Sequence, residues 1–137
     1  MTQEIKGLFW KQPYANLMLH NKIETRTWIT NYRGLVLICA SKKPYSNKLI
    51  NLISDIKIID ETLKDEKIKL GCAIAIGNLI DCRPMNQEDE DKCFVRYNPN
   101  LFCHVYENVR EIEPFEIKGK MGWLKLDSDI LNQIKYK

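Results

Sequence analysis

The chain has 137 residues, of which 45% are hydrophobic and 28% charged, with a formal net charge of +3. That is enough apolar material for one core, too little for two and too much for a disordered chain, so residues 1–137 are expected to form a single domain. No apolar run approaches the roughly 20 residues needed to cross a bilayer as a helix, and a charge of +3 is far from that of a dedicated basic protein, which excludes both classes.

In chain order, residues 1–4 carry an acid (Glu4) and pass quickly into a mixed segment, which does not read as a secretory signal, so the expected compartment is the cytoplasm. Residues 6–11 read as a short strand. Gln12-Pro13 then opens a helix, with Pro13 suited to the first helical position because its missing N–H would find no partner there. Residues 14–21 form that helix and bury some of Ala15, Leu17, Met18 and Leu19. From Lys22 the period changes to two. Lys22, Glu24, Arg26 and Trp28 alternate with Ile23, Thr25 and Thr27, which predicts a strand with one polar face and Thr25 on the other. Residues 31–34 are a turn, and 35–40 a fully buried strand closed by Lys42 and Lys43.

Ser46 can cap a second helix in which Leu49, Leu52, Ile53, Ile56 and Leu63 follow helical spacing, while Asp55, Lys57, Asp60, Glu61 and Lys64 make a wet face. Residues 71–80 are a central strand and 84–92 an acidic loop. Residues 101–106 and 109–112 are two further strands. Residues 114–123 hold a flexible basic turn, Lys118-Gly119-Lys120-Met121-Gly122, and residues 130–137 are a short helical or loose tail. About six strands and two flanking helices, with mostly nonlocal pairing in one small domain, predict an α+β fold built as a closed or partly closed mixed β-barrel.

The five cysteines (Cys39, Cys72, Cys82, Cys93 and Cys103) are odd in number, contain no CxxC pair and sit in apolar runs, so they read as reduced core residues rather than a disulfide framework or a zinc site. His20 and His104 stand alone, and the acidic loop lacks the spacing of a calcium loop. No metal and no cofactor are expected.

The chemistry concentrates in the row Lys22, Glu24, Arg26, Trp28. Two cations, one anion and an indole on one face can hydrogen-bond a base edge, meet a phosphate and stack a ring. Arginine adds planar, bidentate recognition that lysine lacks. Lys42, and Lys118 with Lys120 on the glycine turn, are candidates to converge on the row and meet phosphate.

Three blocks resemble the ASCH family: residues 11–20, beginning Lys-Gln-Pro-Tyr; Glu24-Thr25-Arg26-Thr27-Trp28; and residues 32–43, beginning Tyr-Arg-Gly and ending in Ser41-Lys42-Lys43. The likeness continues through residues 71–85 and 114–122. Counting back from Glu24, the family's lysine slot holds Asn21 and its glycine slot Leu19, with Lys22 one residue out of step. The resemblance implies a PUA-like barrel and binding of RNA, or of a modified nucleoside or nucleotide, in a polar cleft between the first helix and the barrel. Gln12 and Tyr14 would line one wall, Glu24 and Arg26 the floor, with Trp28 stacking nearby and Glu24 accepting from a base amine. The same resemblance leaves a hydrolase open, an N4-acetylcytidine amidohydrolase or a ribonuclease. Lys22, Glu24 and Tyr14 would then be the catalytic candidates, and Glu88, Asp89 or Glu90 could supply a further acid.

Overall fold

Residues 4–137 are described by the computed structural model; Met1, Thr2 and Gln3, on which part of the reading against a signal sequence rests, lie outside them. Apolar segments in the first half of the chain build β1 (Ile5–Trp10) and β3 (Gly34–Ala40), which pair in parallel from Ile5 opposite Leu35 to Trp10 opposite Ala40. Parallel neighbours need a crossover. Here it is α1 (Tyr14–Leu17), a turn of 3-10 helix (Met18–His20) and β2 (Glu24–Arg26).

The remaining ladders are antiparallel. β4 (Cys72–Pro84) lies between β3 and β5 (Phe102–Glu116), β2 pairs with β5, and the two-residue β6 (Leu124–Lys125) pairs with β1. The sheet order is β2-β5-β4-β3-β1-β6. Register shifts between Ala73 and Ala75, Ile76 and Asn78, and Leu79 and Asp81 bend the long β4–β5 ribbon. The bend carries β2 round toward β1, where Arg26 Nη2 donates to the Phe9 carbonyl at 3.0 Å. The barrel expected from sequence is thus a curled six-stranded mixed sheet that stays open along one seam.

Strand alternation sorts the core into two sides. Val36 and Ile38 join Leu8, Trp10, Leu17, Met18 and Leu79 on the side covered by the first helices. Leu37 and Cys39 join Ile76, Ile112 and Leu126 on the other, with Ile130 and Ile134 packed over them. Residues 36–40 are buried on both faces, as a continuous apolar run requires, while Leu35, expected to be buried with them, is half-buried at the strand's start.

The helices are shorter and more numerous than two. The second one breaks at Ser54 into α2 (Asn47–Ile53) and α3 (Ile56–Leu63). Leu52, expected to be buried by the helical spacing, is 68% exposed. The acidic loop contains a 3-10 turn (Gln87–Asp89) and α4 (Glu90–Cys93). The strands expected at 101–106 and 109–112 are one element, with Asn108 in a left-handed conformation (φ 52°) within it. The tail holds α5 (Ser128–Asn132). No helix among the described residues is long and apolar enough to cross a membrane.

Candidate nucleotide-binding seam

Where the sheet fails to close, β1 and β2 face each other across a pocket of about 830 Å³. That lies within the roughly 300–1,000 Å³ of small-molecule sites. Tyr14 of α1, the end of α2, residues 95–98 and the turn at 120–122 complete its walls. It is lined by five basic side chains (Lys11, Lys22, Arg26, Arg96, Lys120) and one acid, Glu24.

Asn21, in the left-handed region (φ 61°), turns the chain from the 3-10 turn into β2, and the Ile23 N–H then donates to the Lys92 carbonyl at 2.9 Å. This anchors Lys22, Glu24 and Arg26 as a graded series, their side chains 1%, 8% and 20% exposed. Lys22 Nζ donates to Glu24 Oε1 at 3.0 Å and to the Ile23 carbonyl at 2.9 Å, and sits 5.5 Å above the Tyr14 ring. Arg26 Nε lies 2.9 Å from Glu24 Oε2, off the line of its N–H. The guanidinium is 4.9 Å above the Trp10 ring and 6.0 Å from that of Trp28. Burial pushes the Glu24 carboxyl up, but the Lys22 and Arg26 charges outweigh it and its pKa falls below the ordinary value of 4.5. Glu24 is therefore ionised at neutral pH, ion-paired with both cations.

His104 is the member that sequence reasoning missed. It pairs across the strands with Glu24 and is fully buried. Its Nε2 lies 2.9 Å from the Trp28 carbonyl, which can only accept, so Nε2 carries the proton. Burial lowers its pKa below 6.5, leaving a neutral ring. Trp28 is gripped edge-on by His104 at 4.9 Å and by Trp123 at 5.9 Å. No local pattern signals this, because the register that sets His104 opposite Glu24 is a pairing between strands far apart in sequence.

At the mouth, Arg96 Nη1 donates to the Asn51 and Leu52 carbonyls at 3.0 Å each, closing the end of α2. Lys11 Nζ sits 5.2 Å above the Tyr45 ring. Lys11, Tyr45, Arg96 and Tyr97 were not singled out from sequence, because none falls within the period-two row.

The pocket therefore brings together Tyr14, Lys22, Glu24, Arg26, Trp28 and Lys120. Gln12, Lys42 and Lys118 lie elsewhere. Gln12 is buried and consumed by Asn16 and the Lys69 carbonyl, bonds that tie α1 to the segment after α3. Lys42 is exposed and lies against Gly71. Lys118 is exposed before the glycine turn, whose chain carries only Lys120 to the pocket. Thr25, expected to turn away, is among the lining residues because β2 is a sheet edge whose free side borders the gap.

Tyr14 Oη hydrogen-bonds Ser54 Oγ at 2.5 Å, and burial raises its pKa. The acids of the 84–92 segment also serve locally. Asp89 is clamped by Arg83 through bonds of 2.7 and 2.9 Å, and Glu90 accepts from the Tyr97 N–H at 2.6 Å. The cysteines are free thiols, four of them buried. Among the described residues no group of three or more His, Cys, Asp or Glu side chains could hold a metal ion.

No family model matches the chain. It is similar to Activating signal cointegrator 1 of Homo sapiens, 28% identical over 130 residues, and to the protein of the same name in Mus musculus, 27% identical over 130 residues. Each match covers 87% of this chain and 22% of the relative, so the chain spans about a fifth of the length of the curated proteins it matches. The ASCH domain of these relatives fits the family resemblance carried by the sequence blocks, and the open six-stranded sheet is compatible with a PUA-like fold.

Proposed function

We propose that this ASCH-type domain binds RNA or a nucleotide-like ligand in the seam between β1 and β2. The observation that carries the reading is the lining itself: five cations, two of them paired with the one acid, and a guanidinium within 4.9 and 6.0 Å of two indole rings. Such a surface attracts phosphate, and the half-buried Arg26 guanidinium and Trp28 ring offer flat faces to a base. Among the residues expected to bind, Tyr14, Arg26, Trp28 and Lys120 keep direct roles in this proposal. Lys22 and Glu24 hold Arg26 in place. The five free cysteines suit a reducing compartment, so the cytoplasm is the proposed setting.

A hydrolase built on Lys22 would need its ammonium to meet substrate. Here that group is committed to Glu24 and the Ile23 carbonyl and is shut from solvent.

The test is equilibrium binding of a short single-stranded RNA over a range of salt. With phosphate contacts from Lys11, Arg96 and Lys120, the logarithm of affinity should fall with the logarithm of salt at a slope of about −2, at roughly −0.7 per phosphate. Arg26→Ala should weaken binding at least tenfold. A salt-independent affinity, or equal binding by this variant, would remove the seam as the site.

A further inference from the structure

We infer that the floor of the seam reads a keto group on the base of its ligand, with Arg26 as the reading residue, while Lys11, Arg96 and Lys120 at the mouth take the phosphate. This deepens the proposed function and rests on it.

The inference starts from which polar groups at the floor are still free. Glu24 Oε1 accepts from Lys22 Nζ at 3.0 Å, while Oε2 is ion-paired with Arg26 Nε at 2.9 Å without an aligned hydrogen bond. Tyr14 Oη is tied to Ser54, and the Phe9 carbonyl is taken by Arg26 Nη2. Of the Arg26 guanidinium, Nε faces Glu24 and Nη2 is bound, but Nη1 has no protein partner among the described residues. Its two N–H groups, with the second proton of Nη2, therefore point a donor-only edge at the ligand. A base amine arriving at this edge would set its own N–H groups against those of the guanidinium, donor against donor. A carbonyl beside a ring nitrogen would receive two parallel bonds, the geometry in which arginine exceeds lysine. Thr25 and Thr27 on the wall can both donate and accept, so they do not discriminate.

Base and phosphate are assigned to floor and mouth by solvation. The floor is walled by Leu8, Trp10, Tyr14 and Trp28, and its one acid sits beside Arg26. A phosphate there would lose its water and face a buried carboxylate, whereas a flat ring gains stacking area. Lys11 and Lys120 are exposed and Arg96 has no carboxylate partner among the described residues, so the mouth holds a phosphate that stays partly hydrated.

The deciding experiment compares inosine and adenosine 5′-monophosphates, purines of equal size that exchange a keto group for an amine, by calorimetric titration of the whole chain. The inosine nucleotide should bind at least tenfold more tightly. Arg26→Lys should erase that preference while keeping the charge, and with it the salt slope for RNA. Lys120→Ala should weaken both nucleotides alike. Equal affinities, an adenosine preference, or a preference that survives Arg26→Lys would each overturn the inference yet leave nucleotide binding standing. RNA binding with no measurable binding of inosine monophosphate also counts against it. Absence of binding by RNA and both nucleotides would remove the proposed function as well.

Discussion

Between Lys22 and Arg26 a difference of four positions decides whether a cation is scaffold or tool. Lys22 is sealed behind Glu24, and Arg26 is left with one free edge toward the seam. Period-two spacing was sufficient to put the row on one face, but spacing carries no information about depth. Depth came from β5, whose Cys103 and His104 lie opposite Thr25 and Glu24 and hold that end of β2 down. The consequence can be tested at single residues. Glu24→Ala leaves Lys22 buried without its counter-charge, and breaking a buried pair from one side costs about 3–5 kcal/mol. Arg26→Ala removes a partly solvated group and its packing on Trp10, worth about 1 kcal/mol as a cation–π contact. Urea unfolding should therefore show a much larger fall in midpoint for Glu24→Ala than for Arg26→Ala. The reverse order would mean that Glu24 is a surface acid and the graded series is wrong.

At the scale of elements, the strands were more legible than the helices. Residues 6–11, 35–40 and 71–80 match β1, β3 and the first part of β4, because apolar alternation and bounding turns mark strands locally. The helix expected from Ser46 onward begins there, with the Ser46 side chain accepting from the Leu49 N–H at 3.2 Å. The break within it was not to be had from spacing, since Ile56 and Leu63 remain in phase across it. The break is tertiary in origin. Ser54 is buried and spends its hydroxyl on Tyr14, joining the end of α2 to α1 and closing one wall of the seam. Asp55 then restarts the helix, accepting from the Lys57 N–H at 3.0 Å. Asp55→Ala removes the N-cap of α3 and should cost about 1 kcal/mol, whereas Asp55→Ser should recover most of it. Thermal unfolding followed by circular dichroism measures both. Equal stability of Asp55→Ala and the parent would show that α3 does not depend on this cap.

For the molecule as a whole, strand number was readable and strand order was not, because order depends on pairings such as β1 with β3 that no local pattern encodes. The same nonlocal assembly creates the buried ionisable groups, and these set how stability follows pH. His104 is held below its ordinary 6.5 by burial, so the unfolded chain takes up a proton first as the solution is acidified. Glu24 is held below 4.5 by Lys22 and Arg26 against the cost of burial. Asp89 is held below 3.8, chiefly by the Arg83 hydrogen bonds. In all three cases the unfolded state binds more protons at low pH, so stability falls as pH drops, first below about 6.5 and then more steeply near 4.5 and 3.8. The thiols act with the opposite sign. Burial pushes Cys39 and Cys93 up to about 12 from 9.0, so above pH 9 the unfolded chain loses protons that the folded one keeps, and stability falls again. Urea midpoints should therefore form a plateau between about pH 6.5 and 9 and decline on both sides. His104→Gln should flatten the limb between 6.5 and 4.5 while leaving the alkaline limb unchanged. A midpoint constant from pH 4 to 10 would mean that these groups are as solvated in the folded chain as in the unfolded one, and the closed floor of the seam would go with them.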